Sequence, residues 1–248
     1  MIERILFIFI VENMIFVCVC IFTLVVFAAL TFASRNVNSL ISSGNFVIKS
    51  DDSAKVKPYK FDLKLYVVFA VIALISGFIG YRTYCHYFDQ SHAMSICILG
   101  ILRELICLVA LLMSASYDYK LRIIPNYIPF ALIVLRVIYF CIEFFVMDDY
   151  KSTALSSLIG LLGAFLIITI VNKISREGIG AGDMKLLSAL GFFAGASFVV
   201  KLSILSLISC FFIAIFLMMF KKFTVKDTLP FGPFILIGFM LGAIIGVI

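Results

Sequence analysis

The sequence predicts an all-α polytopic integral membrane protein, folded as a bundle of about eight transmembrane helices. Of its 248 residues, 64% are apolar and 14% are charged, whereas soluble domains average about half apolar and about a quarter charged. The apolar residues form blocks of roughly 20, and each block is long enough to cross a hydrocarbon core of about 30 Å as a helix. These blocks follow one another along the whole chain, which excludes a soluble fold with one membrane anchor.

Eight apolar runs are the candidate spans. A segment inside the bilayer must satisfy its own backbone hydrogen bonds, and these runs are too long and too uniformly apolar to be barrel strands, so each is predicted as a helix. The first run is longer than the apolar core of a secretory signal peptide, and we expect it to be retained. The runs lie at about residues 5–33, 65–81, 94–117, 127–147, 152–171, 184–199, 202–220 and 229–248.

The loops between the runs predict the orientation. Residues 34–64 are the one sizeable polar stretch. Cytoplasmic loops are enriched in Lys and Arg, and alternate loops contain fourteen on one side, including the 34–64 loop, and four on the other. We therefore expect both termini outside and the 34–64 loop in the cytoplasm. Because the basic residues are scattered between spans rather than collected on one face, no nucleic-acid partner is expected.

Two aspartates are the strongest candidates for function. Asp118 comes directly after an uninterrupted apolar run, and Asp183 follows the glycine-rich residues 178–182. The predicted orientation places both at the cytoplasmic ends of their helices, and two such ends can meet in a bundle. Ionisable residues near membrane depth are costly, which favours a functional interpretation.

Two carboxylates within a few ångströms of each other cannot both remain ionised, so they share a proton. This is the arrangement of an aspartic protease, in which the ionised carboxylate takes a proton from a water and the protonated one polarises the scissile carbonyl. Gly180 and Gly182 would leave room for a substrate strand beside the second aspartate. Pro125 is expected to break the helix that carries the first, and Asn126 to cap the next helix. Such a site needs no metal or nucleotide.

The same aspartates have two other interpretations. Asp118 at a helix end is also typical of a cap or a solvated interface residue, and Asp183 could cap a helix that follows a flexible glycine turn. Alternatively, a proton- or cation-coupled membrane transporter would use both as relay or ligand groups. Glycines at the membrane midplane would favour the transporter, whereas this sequence has its glycines and both acids at the predicted inner interface.

The other charged residues in the runs are given structural roles. Arg103 and Glu104 are expected to neutralise each other or a polar group of a neighbouring helix, and Arg136 and Glu143 lie seven residues apart on one helical face. The two histidines lack further ligands at matching spacing, and none of the seven cysteines forms a CxxC pair, so no metal is expected.

Three elements, in this order, resemble the bacterial type IV prepilin peptidase family of GxGD-class membrane aspartic proteases. Asp118 is followed by a basic stretch and by Ile-Pro-Asn at 124–126. Asp183 ends a GxGD element at 180–183 and precedes a lysine and two leucines. Residues 230–234 read Pro-Phe-Gly-Pro-Phe. The supporting residues in these elements are Pro125, Asn126, Gly180, Gly182, Lys185, Gly232 and Pro233.

The resemblance implies that Asp118 and Asp183 are the catalytic pair of an aspartic endopeptidase. Such an enzyme cleaves the leader of type IV prepilins or pseudopilins of type II secretion at the cytoplasmic face of the bacterial inner membrane. Residues 1–248 would form one membrane-embedded peptidase domain, with its peptidase core at about 94–248. The implied partners are the pilin substrate and membrane lipid.

The resemblance also bears on cofactors and on a second protease family. Proteolysis needs no cofactor, and S-adenosylmethionine is required only for the N-methylation that many members add. The 34–64 loop contains no cysteine, so the zinc-type CxxC domain of longer members is not expected there. Presenilin-type proteases share the Tyr-Asp and GxGD elements, but their Pro-Ala-Leu element near the C-terminus does not occur here.

Overall fold

The computed structural model describes residues 94–147, 149–174, 180–219 and 230–245, together with Phe32. Apart from Phe32, the first two predicted spans, the 34–64 loop and both histidines lie outside the described residues. The chain divides into two compact units, Met1–Leu105 and Ile106–Ile248. The described helices are α1 (Met94–Leu121), α2 (Tyr127–Val146), α3 (Tyr150–Ile174), α4 (Ala181–Ala194), α5 (Ala196–Met219) and α6 (Gly232–Ile245).

Four of the described helices contain segments long and apolar enough to cross a membrane. In the most apolar window of α3 only 11% of the residues are buried, so its Leu, Ile and Phe side chains face outward as lipid-facing residues do. The predicted class, an all-α membrane protein, is confirmed, whereas the count of about eight spans stays a prediction. The four segments are Leu99–Tyr119, Tyr127–Val146, Tyr150–Lys173 and Ala196–Phe216.

The predicted boundary between the sixth and seventh runs, at about 199–202, is wrong. The helix break lies at Gly195, which has φ 98° and donates its N–H to the Gly191 carbonyl oxygen at 3.0 Å. Glycine adopts this left-handed conformation without the steric cost that a Cβ brings. Lys201, predicted in a loop, lies inside α5. Hydropathy does not mark the break because the residues on both sides of Gly195 are apolar.

Helices α4 and α6 are shorter than predicted. Each has 14 residues, and 14 residues at 1.5 Å per residue give a length of about 21 Å, less than a hydrocarbon core of about 30 Å. Both begin at residues that the sequence associates with the site. The packing of the other helices therefore has to position the N-terminus of each short helix.

Helix α4 packs against α2, α3 and α5, while α5 also packs against α3 and α6. The contact between α3 and α4 is close, because a Cβ on Gly160 or Gly191 would collide with the carbonyl oxygen of the other. Leu190 is fully buried, and Phe193 meets the ring of Tyr139 edge-on with 5.3 Å between centroids. This packing fixes α4, and with it the turn that carries Asp183.

The two structural pairs predicted from the sequence are present. Arg136 donates from Nη1 to Oε1 and from Nη2 to Oε2 of Glu143, both at 2.9 Å, and both side chains are buried. Arg136 and Glu143 lie two helical turns apart, and both side chains are long enough to make this bidentate contact within one helix. Arg103 Nη2 lies 3.9 Å from Glu104 Oε1.

Candidate active site

Asp118 lies in the last turn of α1. The helix ends at Leu121 because Arg122 has φ 52°, and the Arg122 N–H donates to the Asp118 carbonyl oxygen at 3.0 Å. This is a left-handed helix ending of the kind usually formed by glycine. The break expected at Pro125 therefore comes three residues earlier. Sequence reasoning missed Arg122, because a residue other than glycine rarely has a positive φ.

Asp183 lies in the first turn of α4 and is not its cap. Gly180 occupies the N-cap position, and its N–H donates a hydrogen bond to the Asp183 carboxylate. A carboxylate at the third helical position that reaches back to the N-cap amide is half of a capping box. Gly180 has an ordinary backbone conformation, so what matters there is space. A Cβ on Gly180 would lie 3.0 Å from Asp183 Oδ2.

The chain segment that follows Asp118 contacts the turn that carries Asp183. A Cβ on Gly182 would lie 3.1 Å from the Cβ of Ile124, so the bare backbone at Gly182 permits the approach. Tyr117 and Tyr127, at either end of the connection between α1 and α2, meet edge-on with 6.2 Å between centroids. The segment that follows Asp118 and the turn that carries Asp183 are therefore in close contact.

A side-chain hydrogen bond joins the same two segments. Lys185 Nζ donates to Asn126 Oδ1 at 3.0 Å, across 59 residues of sequence. Asn126 occupies the N-cap position of α2, but its side chain makes no capping hydrogen bond. The expected capping role of Asn126 is therefore wrong, because its side-chain oxygen accepts from Lys185 instead. No local sequence pattern predicts a contact between residues so far apart in sequence.

The third sequence element also reaches the site. Gly232 begins α6, and its N–H donates to Asp118 Oδ2 at 2.7 Å, across 114 residues. A Cβ on Gly232 would lie 2.9 Å from the Asp118 Cβ, which leaves no room for a larger residue without displacement. Pro233 follows in the first turn of α6, where its missing N–H costs no helical hydrogen bond. Residues from α1, α4 and α6 thus converge.

Burial and charge couple the two carboxylates. Asp118 is 7% exposed and Asp183 is 9% exposed. Burial, as the largest cause, and the neighbouring charge of Asp118 raise the pKa of Asp183 to about 7, against the opposing effect of the Gly180 N–H. Asp183 Oδ1 is buried and has no hydrogen-bond partner within the part of the chain that the structure describes. A pair of this kind can hold one proton near neutral pH and can offer one oxygen to a water or a substrate carbonyl.

An open groove lies between α2, α3 and α4. Its volume is about 520 Å³, and Asn126 and Lys185 are among its lining residues. Most of the other lining side chains are apolar, with Phe130 and Ile133 on α2 and Phe165 on α3. Neither Asp118 nor Asp183 is among the residues that line the groove. No sequence pattern indicates this groove, because its walls come from three separate helices.

Three proteins similar to this chain are named as leader peptidases. The prepilin leader peptidase/N-methyltransferase of Vibrio cholerae serotype O1 is 32% identical over 129 residues, which are 50% of this chain and 48% of that protein. The protein of the same name from Bacillus subtilis is 29% identical over 139 residues, 55% of this chain and 52% of its own length. The leader peptidase HopD of Escherichia coli is 37% identical over 98 residues, 38% of this chain and 63% of its own.

The chain spans about half the length of the first two of these relatives. No solved structure matches this chain. The type IV leader peptidase family matches residues 105–247, more than half of the chain and a range that includes Asp118, Asp183 and Gly232. The chain therefore belongs to the type IV leader peptidase family.

Proposed function

We propose that this protein is a membrane aspartic endopeptidase that removes the leader peptide from type IV prepilins or pseudopilins. The observation that carries the proposal is the convergence of Asp118 and Asp183, from different helices, into one buried and electrostatically coupled pair. Membership of the type IV leader peptidase family supports the reaction. The names of the relatives, prepilin leader peptidase and leader peptidase, support the substrate class.

The proposed chemistry is hydrolysis by a water activated between the two carboxyl groups. The ionised carboxylate accepts a proton from the water as the water oxygen attacks the scissile carbonyl carbon, and the protonated carboxyl donates to the carbonyl oxygen. The first group then gives its proton to the departing amine. Burial strengthens both interactions, because the pair is shielded from bulk water. Neither step requires a metal or an organic cofactor.

We also propose that cleavage occurs at the cytoplasmic face of the bacterial inner membrane. The support is the charge bias of the loops, which places the α1 end, the α4 start and the basic 34–64 loop on the positive side. The peptidase core would extend over about 94–248, within one membrane-embedded domain of residues 1–248. Membrane lipid would surround the exposed apolar faces of α2, α3 and α5.

N-methylation of the new N-terminus is a separate question. Two relatives carry N-methyltransferase in their names, but each is matched over only about half of its length. If this protein has that activity it would use S-adenosylmethionine. Mass spectrometry of the mature pilin N-terminus, with and without S-adenosylmethionine, separates a peptidase from a bifunctional enzyme by the mass of one methyl group.

The decisive experiment is cleavage of a prepilin from the same genome by the full-length protein in membranes. We expect the wild type to convert precursor to mature pilin, and Asp118→Asn and Asp183→Asn to leave the precursor intact. Asp149→Asn is the matched control, because Asp149 is an exposed aspartate that immediately precedes α3. Expression of all four proteins is measured alongside. Cleavage at the wild-type rate by either active-site variant would refute the two-aspartate mechanism.

Nothing in the family match or in the relatives supports the transporter alternative, and side-chain length provides a direct test of it. A proton relay often tolerates Asp→Glu, whereas a pair that holds one water does not, because the added methylene moves the carboxylate by over about 1 Å. We expect Asp118→Glu and Asp183→Glu to lose cleavage. Full activity in both glutamate variants would instead favour the relay.

A further inference from the structure

The two carboxyl groups of the pair have unequal surroundings. Asp118 Oδ2 accepts the Gly232 N–H at 2.7 Å in a buried hydrogen bond, and the Arg122 guanidinium adds a favourable positive charge. Asp183 accepts the Gly180 N–H, and its Oδ1 is buried without a partner among the described residues. The N-terminus of α4 also favours a negative charge on Asp183. The two groups differ in the 2.7 Å bond from Gly232 and in the positive charge of Arg122, both of which favour a negative charge on Asp118.

We propose that Asp118 is the ionised, proton-accepting member of the pair and Asp183 the proton-carrying member, and that the Gly232 N–H fixes this assignment. Gly232 is then a positioning residue, since it acts on substrate only through Asp118. The proposal rests on the proposed proteolytic function. It explains in physical terms why a Pro-Phe-Gly-Pro-Phe element far along the chain belongs to the site.

The assignment defines each proton transfer. Asp118 Oδ1, opposite the oxygen held by Gly232, accepts a proton from the water while the water oxygen bonds to the carbonyl carbon. Asp183 donates its proton to the carbonyl oxygen, which becomes a hydroxyl of the tetrahedral intermediate. As the C–N bond breaks, Asp118 gives its proton to the amine nitrogen, and Asp183 recovers one from a hydroxyl as the carboxyl product forms. The pair returns to its starting state.

The charged groups around Asp118 are few in the described part of the chain. Asp183 faces it from α4, and Arg122 follows it on its own segment. Helix α6, which supplies Gly232, contains no ionisable residue. Lys185 Nζ is hydrogen-bonded to Asn126 Oδ1. A change confined to the Gly232 N–H therefore alters the stabilisation of the Asp118 charge without altering the number of charges in the site.

The test removes that N–H without adding a side-chain atom. Glycolic acid incorporated at position 232 of the full-length protein in nanodiscs replaces the amide by an ester, with no added Cβ. The matched control is phenyllactic acid at position 234, which removes the N–H that donates to the Phe231 carbonyl oxygen at 3.0 Å in the same turn. Gly232→Ala is unsuitable alone, because its Cβ would lie 2.9 Å from the Asp118 Cβ.

We expect the ester at 232 to move the acidic limb of the kcat/KM profile to higher pH, with the alkaline limb unchanged. At about pH 5 the loss relative to its own plateau should be about tenfold, because a hydrogen bond to a charged group contributes at least that factor. The control ester should keep the wild-type profile shape. A uniformly lowered rate with an unmoved acidic limb would show that Gly232 is only structural, and a moved alkaline limb would reverse the assignment.

A second measurement does not depend on cleavage. In infrared spectra at about pH 5, the stretching band of protonated carboxyl groups should lose one component in Asp183→Asn and keep it in Asp118→Asn, because the pKa of Asp183 lies above that pH. The opposite pattern would overturn the assignment even if no prepilin were cleaved. Conversely, absence of cleavage by the wild type with the expected bands would reject the proposed function and leave the proton assignment standing.

Discussion

Two buried charged pairs in this protein differ in chemistry. Arg136 and Glu143 have opposite charges and match each other in a bidentate contact with both distances 2.9 Å. Asp118 and Asp183 have like charges, and Asp183 keeps one buried oxygen without a partner among the described residues. Among the described residues, no buried nitrogen or oxygen of the first pair lacks a hydrogen-bond partner, whereas the second pair has a buried oxygen that a proton, a water or a substrate can satisfy.

The comparison teaches that burial alone does not identify a functional charge. All four side chains are less than a tenth exposed, and a search for buried ionisable residues would select them equally. The two pairs differ in whether each charge is neutralised by its partner. A matched ion pair is chemically inert, whereas two like charges bind protons and polar ligands.

The largest effect is expected in activity. Asp118→Asn or Asp183→Asn should lower kcat by a factor of about 10²–10⁴, the contribution of a general acid or base, while the folded state survives because Asn removes the like-charge repulsion. Cleavage kinetics with thermal unfolding of the same sample measures both. Glu143→Gln should instead lower the stability of the fold and keep the activity of each folded molecule. Equal loss of activity in Glu143→Gln would break the contrast.

The second effect is expected in stability. Glu143→Gln leaves Arg136 buried without its counter-charge and should lower the free energy of unfolding by about 3–5 kcal/mol. The double variant Arg136→Met with Glu143→Leu should restore most of that loss, because well-packed apolar residues often replace a buried pair at little cost. Denaturant unfolding in detergent measures both variants. A double variant less stable than the single one would show that the ion pair is needed for packing.

The third effect is a pH dependence of stability. Because the pKa of Asp183 is raised from 3.8 to about 7, the folded protein binds more protons than the unfolded chain between these values. Stability should therefore fall as pH rises through this window and level off above about 7. Asp183→Asn should remove this component, and Asp118→Asn should weaken it by removing one raising cause. Thermal unfolding between pH 4 and about 8 checks the sign; stability that rises through the window because of Asp183 would contradict it.

The smallest effect concerns Arg122. Its φ of 52° costs an ordinary residue about 1–2 kcal/mol, a cost that glycine avoids. Arg122→Gly should therefore stabilise the fold by about 1 kcal/mol while losing a positive charge near Asp118. Asn tolerates the same backbone and provides the uncharged control. If both variants lose activity mainly at acidic pH, the charge matters, and if neither does, Arg122 serves only to end α1.

The class of protein and the candidate site residues follow from the sequence alone. Runs of about 20 apolar residues specify membrane helices because the bilayer sets their length, and the two aspartates stand out because ionisable residues are rare at that depth. The pairing of Arg136 with Glu143 also followed from helical periodicity. These inferences are local, and local patterns are what one sequence records.

The contacts of those residues depend on the tertiary structure. Asn126 was expected to cap its helix but accepts a hydrogen bond from Lys185, and the ends of α1 and α4 are set by Arg122 and Gly195. The Gly232 N–H reaches Asp118 across 114 residues. Contacts of this kind depend on how helices pack, and packing follows from shape complementarity among many side chains rather than from any short segment. The positions of the two aspartates at the ends of apolar runs are visible in the sequence. The unequal surroundings that distinguish their proposed roles arise where α1, α4 and α6 meet.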